Sequence, residues 1–169
     1  MIISLTGTMS LQEWARLFEQ RTGRLHGHNW TITFDDSIVP DKPAAEWFQY
    51  IRGAFAKFSC SSCDRTWGSS RVLVVFQFHY ERGAKRGTVR ARRFRQECKT
   101  CEETEMEEPL FDSENIGVML EKLVERIRFR CYKEKINLKR SRPLDWTEGP
   151  HESDLCEACK RGFCRQTNS

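Results

Sequence analysis

Three cysteine pairs of one spacing constrain this chain more than any other feature: Cys60-Ser61-Ser62-Cys63, Cys98-Lys99-Thr100-Cys101 and Cys156-Glu157-Ala158-Cys159. A C-x-x-C turn presents two thiolates to one ion, and two such turns complete a tetrahedral four-cysteine zinc site. The competing use of the eight cysteines is a disulfide framework, which needs an oxidising compartment. The stretch from Met1 to Gly7 has no basic n-region and no apolar h-region of adequate length, so it reads as no secretory signal. The expected compartment is then the reducing cytosol, where clustered cysteines read as metal ligands.

A staple suits this composition. Of the 169 residues, 38% are hydrophobic and 31% charged, less apolar material than a large self-sufficient core needs. Eleven Phe and five Trp offset this in part, because each aromatic buries a large area. The longest wholly apolar run, Val72 to Phe76, is far too short to cross a bilayer. The net charge of +4 decides little. Its distribution says more: a basic stretch from Arg82 to Arg95, an acidic one with Glu102, Glu103, Glu105, Glu107 and Glu108, and a second basic stretch from Arg126 to Arg142.

Ser10-Leu11-Gln12-Glu13 is a capping box, and Leu11, Trp14, Ala15 and Phe18 follow at helical spacing, so a first amphipathic helix is expected over about residues 10–22. Trp30 to Phe34 alternates like a half-buried strand. Trp47, Phe48, Ile51 and Phe55 read as a second amphipathic helix running almost to the first cysteine pair. Val72 to Tyr80 is the strongest strand signal; a turn follows at Arg82–Gly87, and Thr88 to Gln96 returns as a second strand with a change of phase at Arg93-Phe94. Asp112-Ser113-Glu114 opens a third helix with an apolar stripe from Ile116 to Cys131, and a polar, basic linker follows from Lys133 to Gly149. The expected fold is α+β: a small zinc-stabilised domain with a central hairpin or antiparallel sheet, flanking amphipathic helices and a C-terminal zinc loop.

The first two pairs bracket the hairpin, so folding it brings Cys63 and Cys98 together whatever the register. Zinc is expected at Cys60, Cys63, Cys98 and Cys101, against a buried reduced thiol cluster or an oxidised pair. The third pair lies within His151-x4-Cys156-x2-Cys159-x4-Cys164, four residues that could ligate a second zinc in one tight loop; alternatively Cys156 and Cys159 complete a site with Cys131 or His79. Cys131, on the helical stripe, reads as a small core hydrophobe. His79, His26 and His28 read as solvent-exposed, and Trp14, Trp30, Trp47 and Trp67 as core residues rather than a base-stacking platform.

Trp47-Phe48-Gln49-Tyr50, Phe58-Ser59-Cys60-Ser61-Ser62-Cys63, Gly87-Thr88-Val89-Arg90 and Leu155-Cys156-Glu157-Ala158-Cys159-Lys160-Arg161-Gly162 together resemble the three-CxxC zinc-finger domain of the receptor-transporting proteins. The resemblance covers about Leu11 to Cys164, and the domain is taken as residues 9–164, with an N-terminal extension over 1–8 and a tail over 165–169. It implies a cytoplasmic zinc domain, in most members followed by a C-terminal membrane anchor that is not found before Ser169. It further implies an adaptor or chaperone that carries multi-pass odorant or taste receptors to the cell surface, with their cytoplasmic parts as partners. One branch of the family acts in antiviral defence through RNA binding, which makes Arg90, Arg92, Arg93 and Arg95 candidates for phosphate contacts. The acidic run after Cys101 opposes that second reading, and basic strand faces also serve solubility. No enzyme is expected. There is no Gly-rich phosphate loop and no Ser/His/Asp arrangement, the zinc-deaminase pattern is missing, and four protein ligands leave no open position on zinc.

Overall fold

The computed structural model describes residues 11–101, 106–136 and 156–157. Its elements in chain order are α1 (Leu11–Glu19), a 3-10 turn (Thr22–Arg24), β1 (Asn29–Phe34), β2 (Phe48–Ser59), β3 (Thr66–Glu81), β4 (Arg86–Arg93) and α2 (Ser113–Cys131). The strands make one four-stranded sheet in the order β1-β4-β3-β2. β3 is antiparallel to both of its neighbours, whereas β1 lies parallel to β4. The architecture is α+β as expected, but the sheet is mixed. The chain leaves β1 at one edge, builds β2 at the other and returns through β3 and β4, which brings β4 alongside β1 in the same direction.

β3, 16 residues long, is the spine of the sheet. Alternation along a strand sends successive side chains to opposite faces. Val72, Val74, Phe76 and Phe78 therefore pack under the helices, while Leu73 and Val75 join a smaller cluster on the other face with Ile38, Phe94 and Cys156. Asp112 caps α2 by accepting from Asn115 N at 2.7 Å. The stripe Ile116, Leu120, Leu123, Val124 and Ile127 is then fully buried against the sheet. Trp14 of α1 fills the space between helix and sheet, edge-on to Phe34 at 5.6 Å and to Phe111 at 6.0 Å.

One expected element is wrong. The segment read as a second helix is β2, paired with β3 from Phe48↔Phe78 to Ser59↔Thr66 with a register shift between Ala54 and Ala56. Phe48, Ile51 and Phe55 have helical spacing, but Tyr50 stacks on Phe76 of one face and Ile51 packs with the Leu73–Val75 cluster of the other. Burial on both faces hid the strand period. β4 also ends earlier than expected, at Arg93; Phe94 then donates its N–H to Leu73 O at 3.0 Å and turns into the smaller cluster. The linker over 137–149 and most of the C-terminal loop lie outside the described residues.

Candidate metal centre

β2 ends at Ser59 and β3 begins at Thr66, so the first cysteine pair is the turn between two antiparallel strands. That turn closes tightly: Cys60 N donates to Arg65 O at 2.8 Å and Asp64 N to Cys60 O at 3.1 Å, with Asp64 in the left-handed region at φ 57°. Ser62 N points at Cys60 Sγ, 3.4 Å away. The second pair follows the end of β4 and folds back over the first. Cys60 Sγ lies 3.8 Å from Cys101 Sγ, and Cys63 Sγ lies 3.8 Å from Cys98 Sγ. All four sulfurs fall within 4.8 Å of one another. An ion bound tetrahedrally at about 2.3 Å from each sulfur needs its ligand atoms about 3.8 Å apart. The donor set and its spacing fit zinc.

The surroundings tune the thiols. Cys98 is held at about 6, first by its hydrogen bond to the Thr100 hydroxyl at 3.2 Å, against burial and with help from the Thr100 backbone and Arg65. Cys63 is lowered, chiefly by the backbone N–H of Arg65. Cys101 is pushed up to about 12, first by its hydrogen bond to Cys63 and then by burial. Without metal the cluster therefore keeps some sulfurs protonated for the benefit of others, and an ion must displace the remaining protons as it binds.

Residues that the cysteine spacing did not reveal hold this site. Ser61 donates from its N–H and its hydroxyl to Glu107 Oε1, at 3.1 and 2.8 Å. Glu107 and Gln96 exchange two backbone hydrogen bonds, at 2.7 and 3.2 Å. The Gln96 side chain accepts from Trp67 Nε1 at 3.0 Å and donates to Ser69 Oγ at 2.9 Å. Trp67 stacks on Phe58 at 5.4 Å and carries Arg65 over its ring at 5.1 Å. In the sequence Glu107 is one member of an acidic run, and only the fold singles it out.

Of the C-terminal set, Cys156 is described, and it is buried on the face away from the helices; His151, Cys159 and Cys164 lie outside the described residues. Cys131 packs on the helix face, where burial pushes its thiol up to about 12. The sheet separates these two cysteines, so they do not share an ion. His79 is half-buried, stacked on Trp47 at 5.3 Å with Nδ1 3.1 Å from Glu46 O. His26 is exposed, as read, but His28 is half-buried, its Nδ1 2.9 Å from both Tyr80 Oη and Tyr132 Oη.

A family model described as a zinc-binding domain, of the three-CxxC zinc-ribbon type, matches residues 53–162. Mouse receptor-transporting protein 3 is 35% identical over 93% of this chain and 34% of its own length. Mouse receptor-transporting protein 2 is 31% identical over 94% of this chain and 73% of its own, and human receptor-transporting protein 4 is 34% identical over 81% and 57%. This chain belongs to the receptor-transporting protein family. It spans about a third of the first of these relatives and somewhat over half of the third. No solved structure matches it. The family model and the four-cysteine cluster agree on Zn2+ as its cofactor.

The four arginines proposed for phosphate contacts are not a free basic face. Arg92 donates to Ile38 O at 2.8 Å and to Glu157 Oε1 at 2.8 Å. Arg93 is buried against the Phe34 ring and paired with Glu108 at 3.4 Å. Arg90 lies 4.1 Å over Trp47 and 3.9 Å from Asp35, and Arg95 is bound by Asp36 and Glu108. Alternation against Val89 and Ala91 puts at least two of Arg90, Arg92 and Arg93 outside the core. Arg90 is half-buried, but Arg92 and Arg93 are both buried, because both faces of β4 are covered here. No helix among the described residues is long and apolar enough to cross a membrane.

Proposed function

We propose that this chain is a zinc-held, non-catalytic adaptor that helps multi-pass membrane receptors, odorant or taste receptors among them, reach the cell surface. The observation that carries the reading is relatedness over nearly the whole chain to proteins named for receptor transport. In this reading Cys60, Cys63, Cys98 and Cys101 ligate one zinc, and His151, Cys156, Cys159 and Cys164 a second. The metal supplies rigidity and no chemistry, since four thiolates leave it no position for water or substrate. The partners are cytoplasmic parts of receptors, met at the cytoplasmic face of a membrane. The RNA-binding alternative is disfavoured by the engagement of Arg92 and Arg93 within the fold.

The test is co-expression with a poorly trafficked odorant or taste receptor, read by surface labelling of the receptor. Surface receptor should rise, and rise further when a C-terminal transmembrane anchor is appended, because confinement to one membrane raises effective concentration without new contacts. Cys60→Ser should abolish both effects. Folded, zinc-loaded protein with no effect in either form, but with salt-dependent RNA binding, would replace this reading with the nucleic-acid one.

A further inference from the structure

We propose that the outer edge of β1 accepts an extended segment of the transported receptor as an added strand, with apolar side chains seated under α1 and a basic residue matched to Glu19. β1 is an edge strand, paired on one side with β4. Asp35 N donates to Ala91 O, and the register runs without a break from Asn29↔Arg86 to Phe34↔Ala91. Main-chain groups of successive residues point to opposite sides of a strand. Asn29, Thr31 and Thr33 therefore direct their N–H and C=O to β4, and Trp30, Ile32 and Phe34 direct theirs outward. Among the described residues no backbone group bonds to that outward row. Such a row is a template for another strand, and sheets blunt their edges with charge, proline, bulges or cover. The opposite edge is blunted in this way: β2 carries Arg52 and Lys57, its register shifts between Ala54 and Ala56, and Lys57 is bridged by Leu110. β1, Asn29-Trp30-Thr31-Ile32-Thr33-Phe34, has no charge, no proline and no shift of register.

That edge faces a cleft of about 540 Å3. Gly27, His28, Asn29, Trp30, Thr31 and Ile32 line it in succession. Side chains alternate between the faces of a sheet, so consecutive strand residues share one cleft only through their backbone edge. The opposite wall is one face of α1 and the turn after it: Ala15, Phe18, Glu19 and Thr22, spaced three and four apart. Phe18 belongs to the main core and Ala15 packs against it. A strand laid between helix and edge would put alternate side chains on that apolar wall and the others beside the exposed Thr31 and Thr33. Glu19 is the one carboxylate in the lining; it is exposed and has no ion pair among the described residues. The cleft thus suits an extended segment that alternates apolar with polar residues and carries a basic one, and it disfavours an acidic segment. Cytoplasmic loops of multi-pass proteins carry an excess of Lys and Arg, which makes the receptor's own loops the matching source. Main-chain bonds supply affinity with little demand on sequence, so one edge can serve loops that differ.

The source of the segment rests on the receptor-transport reading, and the experiment separates that reading from the edge itself. The probe is a fluorescein-labelled decapeptide that alternates valine with threonine and ends in two arginines, added to the zinc-loaded full chain. Its controls are the same peptide N-methylated throughout and the same peptide with glutamates for the arginines. Anisotropy should show saturable binding of the first, weakened about tenfold or more by N-methylation, which removes its main-chain donors. Glutamates in the peptide, or Glu19→Lys in the chain, should weaken it by about two- to fivefold. Thr31→Lys charges the edge at a side chain that is exposed in the parent, and should weaken binding about tenfold. Amide exchange followed by NMR tests the geometry. In the free chain Trp30 and Ile32 should exchange faster than Thr31 and Thr33, and the peptide should slow Trp30 and Ile32 by about tenfold. Binding without that protection, or no binding of the plain peptide, would overturn the proposal whether or not receptor reaches the surface. A dimer in light scattering that Thr31→Lys splits and the peptide does not enter would place a second copy on the edge and overturn it as well. In the surface-labelling assay Thr31→Lys should keep its zinc and lose the rise in surface receptor. A folded Thr31→Lys that loses the peptide yet transports receptor normally would overturn the receptor as the source. A parent chain that shows peptide protection at both amides but raises no receptor would uphold the edge and remove the receptor-transport reading.

Discussion

A thiol must lose its proton to bind zinc, so the groups around each cysteine govern the pH at which the site loads. Cys98, ordinarily near 9.0, sits at about 6, and the Thr100 hydroxyl is the leading cause. The sign follows directly. A group whose folded value is depressed contributes its stabilisation fully above the unfolded value, about pH 9, and loses it as pH falls through about 6. Thr100→Val removes the leading stabiliser of the thiolate, so protons compete better with metal and zinc should leave at higher pH. We expect the release midpoint, followed with a chromogenic chelator, to rise by roughly half a unit. An unchanged midpoint would mean that Thr100 does not tune Cys98. The cysteines themselves were legible from spacing, because a C-x-x-C turn is a local object. Gln96 and Glu107 were not, since what marks them is a meeting of distant segments.

The elements divide along the same line. α2 was readable because its buried stripe faces one sheet and the rest faces water, which leaves a clean helical period. β1 alternates aromatic and β-branched residues with Thr, and β3 shows an unbroken apolar run from Val72 to Phe76, β-branched and aromatic on either side of Leu73. β2 failed the same test because Tyr50 and Ile51 are consumed by cores on opposite faces and the register slips after Ala54, so no single period survives. The β3–β4 hairpin yields a sharper test. A Cβ added to Gly87 of β4 would stand 2.2 Å from the Trp30 ring, which is itself stacked on Tyr80 at 5.8 Å and hydrogen-bonded through Nε1 to Tyr132 Oη at 3.0 Å. Trp30 cannot yield without breaking both contacts. Gly87→Ala should therefore destabilise the zinc-loaded protein by about 1–3 kcal/mol in urea denaturation. Gly83→Ala, in the turn of the same hairpin, meets nothing within 4 Å and should be near neutral. Equal effects would show that Trp30 is not seated on Gly87.

At the scale of the molecule, stability has two sources that occupy different places. Trp14, Phe76, Phe78, Ile116, Leu120, Leu123 and Ile127 make an apolar core between the helices and the middle of the sheet. The cysteine cluster sits at one end, where β2 turns into β3 and where the chain leaves β4, and it is joined to that core mainly through Phe58 and Trp67. A structural zinc site supplies about 10–16 kcal/mol of apparent binding free energy, comparable to the whole margin of about 5–15 kcal/mol by which a domain is stable. Metal removal should therefore be felt globally, while the apolar core limits how far the chain opens at room temperature. We expect chelation, or Cys60→Ser, to lower the melting temperature by roughly 20 °C or more. Hydrogen exchange should show protection lost over residues 58–68 and 94–101 but retained over 72–80 and 116–127, because only the first pair of segments depends on the cluster for its closure. Cys131→Ser is the control. Its thiol lies in the main core, apart from the four-cysteine cluster found among the described residues, so the variant should keep its zinc and its melting temperature within a few degrees, about the effect of one small polar change in a core. A zinc-free protein that melts with the loaded one would mean that the cluster is a passenger on the fold rather than its staple.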